Sequence, residues 1–312
     1  MTYSIVARDP RSGVLGIGIQ SHYFAAASVA PFAEPGVGVI STQAFASRQY
    51  GPLGLRLLAA GMSSTAVLDA LLRLDPNREL RQIGIVDVQG RSAAFTGTRC
   101  VQYASHCCVD GVSAQGNMLA AAHIPDAMVE AYHRATGDLA EKILSALEAA
   151  QAAGGDARGV QSAGLLVVGA SRDGRPWNAV IHDERVDDSS AALVELRRLA
   201  DLRRGYHNIG ATLFDEGPLF SDVDQTKVDD IERAVSDLRD SAAMMGDTHY
   251  EATLWQAVIL ARHHRSHEAA DLMAPLLRKE AKLAVFVEGL VASGTIERAA
   301  GEVVLGRQSM VP

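Results

Sequence analysis

Apolar and polar positions alternate from the start of the chain. Tyr3 to Ala7 reads as a strand, and Val14 to Gln20 as its partner. Between them, Asp9-Pro10-Arg11-Ser12-Gly13 is turn chemistry, with proline fixing φ and glycine permitting φ > 0. In the second strand Val14, Gly16, Gly18 and Gln20 share one face, and Leu15, Ile17 and Ile19 the other. Its glycines mark a face that a neighbour or a ligand approaches closely. A third strand follows over Gly36–Thr42. Helices are predicted over Gly51–Ala60 and Ser63–Leu74, with Ser63 or Ser64 as N-cap. Gln82–Val88 and Ala93–Thr96 form a hairpin turning at Gln89-Gly90-Arg91, and Cys107–Ala114 is a further strand. Pro125–Ala135 and Leu139–Ala153 are rich in helix formers, and Gly154-Gly155 closes the second. Gly164–Ala170 and Trp177–His182 pair across Arg172-Asp173-Gly174. Ser189–Arg204 is a helix preceded by Asp187-Asp188-Ser189.

Blocks of antiparallel strands separated by helix pairs predict an α+β fold with two stacked sheets covered by helices. They do not fit a doubly wound parallel sheet. The character changes after about Gly210. Ala211–Ser221 reads as a linker. Asp224–Met245, His249–His263, His267–Lys279 and Leu283–Ala292 read as amphipathic helices. These suggest one tetratricopeptide-like helix pair or a short bundle, which buries too little by itself. It is expected to pack on the main domain or on another subunit. The domain division expected is 2–210 and 222–312.

Composition narrows the function classes. Of the 312 residues, 48% are hydrophobic and 21% charged, as in globular proteins. A net charge of -8 disfavours general nucleic-acid binding and docking to an anionic membrane. Gln20, Ser21, His22 and Glu34 interrupt the apolar stretches before they reach membrane-spanning length. The first residues lack the pattern of a targeting segment. Cys100, Cys107 and Cys108 are odd in number and form no CxxC pair, so a reducing cytoplasm is expected. His263, His264 and His267 lie in a helix-to-helix turn, expected to be exposed, without cysteine or acidic partners. No Walker loop is present, and Gly16-Ile17-Gly18 does not open a helix. No metal or cofactor is therefore expected.

Thr2 is the sharpest chemical candidate. Its small side chain permits removal of Met1, which would leave a hydroxyl and a free α-amine on one residue. An amine titrating near about 8 can serve as base for that hydroxyl. The first hairpin brings Ser21 and His22 back beside Thr2, because the end of one strand lies opposite the start of the other. Gln115-Gly116-Asn117 follows a strand and offers amide donors for an oxyanion, as does Gln43. Asp156, Arg158, Gln161 and Ser162 crowd the loop Gly154–Ala163, where Asp156 and Arg158 are expected to pair. The plainer readings are that Thr2 merely starts a strand, His22 is a partly buried strand-end histidine, and residues 115–118 make an ordinary turn.

Many of these segments resemble a bacterial family, domain of unknown function 1028 (DUF1028). The resemblance runs through Thr2–Asp9, Gly38–Ala44, Tyr50-Gly51-Pro52, Arg81–Gly84, Phe95-Thr96-Gly97, Gln115–Leu119, Gly154–Ala163, Arg185–Asp188 and Glu195–Leu199. It implies a four-layer αββα sandwich of the N-terminal-nucleophile (Ntn) hydrolase type. It also implies, by superfamily analogy, an amide hydrolase with Thr2 in the nucleophile position. The expected substrate is a small amide-containing molecule, and the expected assembly a homodimer. The alternative is a non-catalytic binding or scaffold protein on a degenerate fold of that type.

Overall fold

The computed structural model describes residues 2–171, 179–214, 217–220, 223, 227–246 and 248–307. The described chain holds ten strands in two antiparallel sheets, and ten α-helices. It divides into two compact units, residues 1–200 and 201–312.

In the first unit, β1 (Thr2–Arg8) pairs with β2 (Leu15–Ser21) on one side and β8 (Val112–Asn117) on the other. β9 (Ser162–Val168) and β10 (Val180–Val186) extend the sheet beyond β2, and β7 (Ser105–Val109) closes it beyond β8. The second sheet runs β3 (Pro31–Glu34), β4 (Gly38–Ala44), β5 (Arg81–Asp87), β6 (Ser92–Thr96). The two sheets face each other. Val6, Leu15 and Ile17 of one meet Val39 and Val86 of the other in a buried apolar cluster.

Each sheet buries its other face under helices. Tyr3, Ile5 and Ala7 of β1 pack beneath α3 (Ile124–Arg134) and α4 (Leu139–Ala152), joined by Leu193 and Leu196 of α5 (Ala192–Leu213). Ile40, Ile83 and Ile85 pack beneath α1 (Tyr50–Ala59) and α2 (Ser64–Leu74). Capping follows the sequence signals. Ser63 accepts from the Ala66 amide at 3.3 Å, and Asp138 from the Glu141 amide at 2.8 Å. The glycine face of β2 is filled by helix side chains: a Cβ on Gly18 would lie 2.4 Å from Ile143 and 2.9 Å from Leu147.

The structure departs from the sequence expectation in three places. The single strand expected over Cys107–Ala114 is a tight hairpin, β7 and β8, turning at Asp110-Gly111 with Gly111 at φ 77°. Asp-Gly is a two-residue hairpin signal in its own right. Vicinal Cys107 and Cys108 do fall on opposite faces, one half-buried and one exposed. β3 was not anticipated, because four residues beginning with proline carry little strand pattern. α5 runs nine residues past Arg204, through glycines that allow close packing: a Cβ on Gly205 would lie 2.4 Å from Met245. The expected turn at Arg172-Asp173-Gly174, and Trp177, lie outside the described residues.

The second unit contains α6 (Val228–Met245), α7 (Glu251–Arg262), α8 (Ser266–Lys279), α9 (Leu283–Ala292) and α10 (Arg298–Val304). More than one helix pair is present, and these helices bury a core of their own around Leu238, Ile259, Leu260 and Met273. His263, expected in an exposed turn, is 9% exposed. No described helix is long and apolar enough to cross a membrane.

Candidate functional site

Thr2 begins β1, the strand between β2 and β8, so its neighbours are fixed by register on both sides. It stands opposite Ser21 of β2 and Asn117 of β8. Its Oγ1 lies 3.0 Å from Ser21 Oγ in a buried contact. Its carbonyl oxygen accepts from two side-chain amides, Gln43 Nε2 at 3.2 Å and Asn117 Nδ2 at 3.5 Å. Gln43 comes from the second sheet, so the residue is gripped across the sandwich.

Behind Thr2 lies a polar layer wholly inside the protein. Gln43 Nε2 and Asn117 Nδ2 both donate to Gln82 Oε1, at 2.8 and 2.9 Å. Gln82 Nε2 in turn donates to Thr96 Oγ1, the Ser105 carbonyl and the Gly116 carbonyl. Deeper in, Ser4 Oγ donates to Gln43 Oε1 at 2.7 Å and lies 2.9 Å from Ser41 Oγ. Gln115 Nε2 donates to Ser4 Oγ at 2.6 Å and to the Ser4 carbonyl at 3.2 Å, while Ser113 Oγ donates to Gln115 Oε1. Gln115 therefore points into the sheet interface, with its amide hydrogens directed at Ser4 rather than at the Thr2 hydroxyl.

The loop after α4 joins the same end of the sandwich. Asp156 is buried; its Oδ2 accepts from the His22 backbone amide at 3.0 Å, and its Oδ1 accepts from the Arg158 backbone amide at 2.8 Å. Arg158 Nη2 reaches Asp156 Oδ2 at 3.4 Å, the pair expected from the sequence. Asp156 also bridges Leu119, two residues beyond Asn117. Gln161 and Ser162 are turned to a different task. The Gln161 amide N–H donates to the Ser21 carbonyl, and its side chain donates to Asp188. Ser162 Oγ donates to the Tyr23 carbonyl at 2.7 Å and accepts from the Ala26 amide. Both hold the segment after β2 in place.

Among the buried polar atoms at this end with no hydrogen-bond partner in the protein are Asn117 Oδ1 and His22 Nδ1, together with both amide atoms of Gln20 beside Ser21. An orphaned buried acceptor is costly and is found where something else completes it. Two of the cysteines are held toward the thiol form. Burial, then Asp126, pushes the Cys107 thiol up to about 11, and burial raises Cys100 as well. Among the described residues no group of three or more His, Cys, Asp or Glu could hold a metal ion.

Thr2, Ser21, Gln43 and Asn117 thus meet directly, His22 joins through Asp156, and Gln115 stands one hydrogen-bond layer below. Ser4, Ser41, Gln82 and Ser113 belong to the same network and carry no site signal when read one strand at a time. Their signal is collective: polar residues two apart on β1, β4 and β8, which a single strand presents as a solvent face.

A DUF1028 protein from Silicibacter pomeroyi of known crystal structure is 25% identical, with a TM-score of 0.58 over 67% of this chain and 89% of that one. The ancestral beta-subunit Anbu from Yersinia bercovieri also matches, at 13% identity and a TM-score of 0.33, covering 68% of this chain and 98% of its own. No curated protein matches the chain. The model of a family of unknown function, DUF1028, covers residues 2–196, which takes in every strand of both sheets and more than half the length; the chain belongs to that family.

Proposed function

We propose that this protein is an amide hydrolase of the Ntn type, with Thr2 as nucleophile once Met1 is removed. The observation that carries the reading is the placement of Thr2. It is the first residue of a central strand, its hydroxyl meets a second hydroxyl at 3.0 Å, and its carbonyl is clamped from both sheets. Two facing sheets, each with helices on its outer face, support the four-layer αββα reading on which that assignment rests.

In the proposed reaction Thr2 Oγ1 attacks the carbonyl carbon of an amide. The hydroxyl proton passes to the Thr2 α-amine and then to the departing nitrogen as the C–N bond breaks. Water hydrolyses the resulting ester, releasing the acid and restoring the hydroxyl. Ser21 orients Oγ1, while Gln43 and Asn117 fix the backbone on which it is carried. His22 and Arg158 line the approach. Preorganisation of this kind holds the attacking atom in place without cost at the moment of reaction.

Intact mass of the purified protein and hydrolysis of an amide panel test the proposal. Met1 should be absent. Thr2→Ala should lower turnover by about 10³-fold or more, and Thr2→Ser should retain a substantial part of it. A retained Met1, or turnover indifferent to Thr2→Ala, overturns the nucleophile assignment. A folded, processed protein that turns over no amide on a broad panel favours a binding role for the same fold.

A further inference from the structure

Two loops leaving strand ends beside Thr2, and the segment before β7 that is hydrogen-bonded to a third, carry exposed aromatic side chains. Tyr23 and Phe24 follow Ser21, Phe45 follows Gln43 by two residues, and Tyr103 exchanges backbone hydrogen bonds with Leu119, two residues beyond Asn117. Tyr23, Phe24, Phe45 and Tyr103 are 59, 61, 54 and 52% exposed. They are all of the exposed aromatic side chains among the described residues of the first unit. Val101, whose carbonyl accepts from the Met118 amide, is exposed beside them. Tyr23 and Phe45 each lie two residues from a side chain that contacts Thr2, a chain span of at most about 7 Å.

The backbone of these loops is strained at matching points. Ala25, Ala44 and Met118 adopt left-handed φ of 51, 65 and 52°. Only one other non-glycine residue described, His264, has a positive φ. Ala44 stands between Gln43 and Phe45, and Met118 between Asn117 and Leu119, so the strain falls where the chain passes from a Thr2-contacting residue to the rim. An L-residue is held in this region only where its surroundings dictate it, and such positions gather at ligand sites. Aromatic groups left in water at one end of a domain are likewise a binding signature.

We infer that this rim recognises an apolar, aromatic part of the substrate, so that the amides processed are those bearing an aryl or similarly bulky apolar group within a few bonds of the scissile carbonyl. The inference rests on the Thr2 reading for the position of the carbonyl, but recognition by the rim can be measured without turnover. It narrows the expected small amide to one whose affinity comes from ring burial rather than from polar contacts alone.

Binding of N-phenylacetylglycinamide and of N-acetylglycinamide to the full-length Thr2→Ala protein, followed by calorimetry, tests it. The phenylacetyl compound should bind roughly tenfold or more tightly, the factor expected for burying one ring. Phe24→Ser combined with Phe45→Ser should remove most of that difference and leave the acetyl compound unchanged; both positions are exposed, so the fold is not at risk. Equal affinity for the two compounds, or no detectable binding of the phenylacetyl compound, overturns the inference. So does a double variant that turns a dimer into a monomer in sedimentation without altering probe affinity, since the rim would then be an interface between copies. Should Thr2→Ala prove as active as the unaltered protein while ring discrimination persists, the nucleophile assignment fails and the recognition site stands.

Discussion

Gln82 shows how a single residue ties the site to the fold. Its side chain is fully buried. One oxygen collects amide hydrogens from Gln43 and Asn117, and one nitrogen faces Thr96, Ser105 and Gly116. Leucine fills nearly the same volume but offers none of these contacts. Gln82→Leu should lower unfolding free energy by about 3 kcal/mol, because buried groups stripped of a partner keep their full desolvation cost. Chemical denaturation measures this, and unchanged stability would show that the polar layer is dispensable. The same substitution should loosen Gln43 and Asn117 on the Thr2 carbonyl, so activity should fall further than stability alone explains. In the proposed reaction Gln82 is then a positioning residue, two hydrogen bonds removed from the Thr2 carbonyl. From sequence, Thr2 stands out as a hydroxyl and prospective amine on one residue, Ser21 through the hairpin that returns to it, and Gln43 and Asn117 as amide donors. Ser4, Ser41 and Ser113 did not. A polar residue at every second strand position reads as a solvated face, and only a second sheet laid over it converts it into an interior.

At the scale of elements, the glycines of β2 are the clearest case of a pattern with a physical cause. Gly16 and Gly18 face α4, whose Ile143 and Leu147 fill the space that side chains on β2 would take. Gly18→Ala places a methyl group 2.4 Å from Ile143 Cγ2, so the helix must shift or the side chain leave its rotamer. A loss of about 1–3 kcal/mol is expected despite the better strand propensity of alanine. Equal or higher stability in denaturant titration would mean that α4 yields freely. Helices with caps and an amphipathic face were legible: α1, α2, α3 and α4 fall within a few residues of their predicted limits. The β7–β8 hairpin was missed as a pair because Asp110-Gly111 interrupts a short run that also reads as one strand. The extension of α5 was missed because Gly205 and Gly210 lower helix propensity, and packing against Met245 overrides that local preference.

For the molecule as a whole, two units with separate cores make stability depend on where a titrating group lies. His263, in the core of the second unit, is held below its ordinary pKa chiefly by burial, and its Nε2 has no hydrogen-bond partner. Burial thus favours its neutral form in the folded protein. The unfolded chain takes up a proton there as pH falls through about 6.5, so below that pH the unfolded state binds more protons and stability declines toward the folded pKa. Above about 6.5 the contribution is fully present. Melting curves at pH 7.5 and pH 5 should therefore differ less in His263→Gln than in the unaltered protein. An identical difference in both would remove His263 from the acid response.

The sequence alone determined the local terms. Alternation set the strands, caps and apolar periodicity set the helices, and the order of blocks set two antiparallel sheets rather than a parallel one. It also singled out Thr2 as chemically distinctive, because removal of Met1 would leave a hydroxyl and a free α-amine on one residue. What the tertiary structure decided is which polar residues share a space. Register placed Ser21 and Asn117 on either side of Thr2, stacking of the sheets delivered Gln43 and Gln82 from the other side, and three separate segments brought their aromatic side chains to one end. Those are contacts between residues far apart in the chain. Their partners are fixed by burial and by sheet pairing, which no local run of residues encodes.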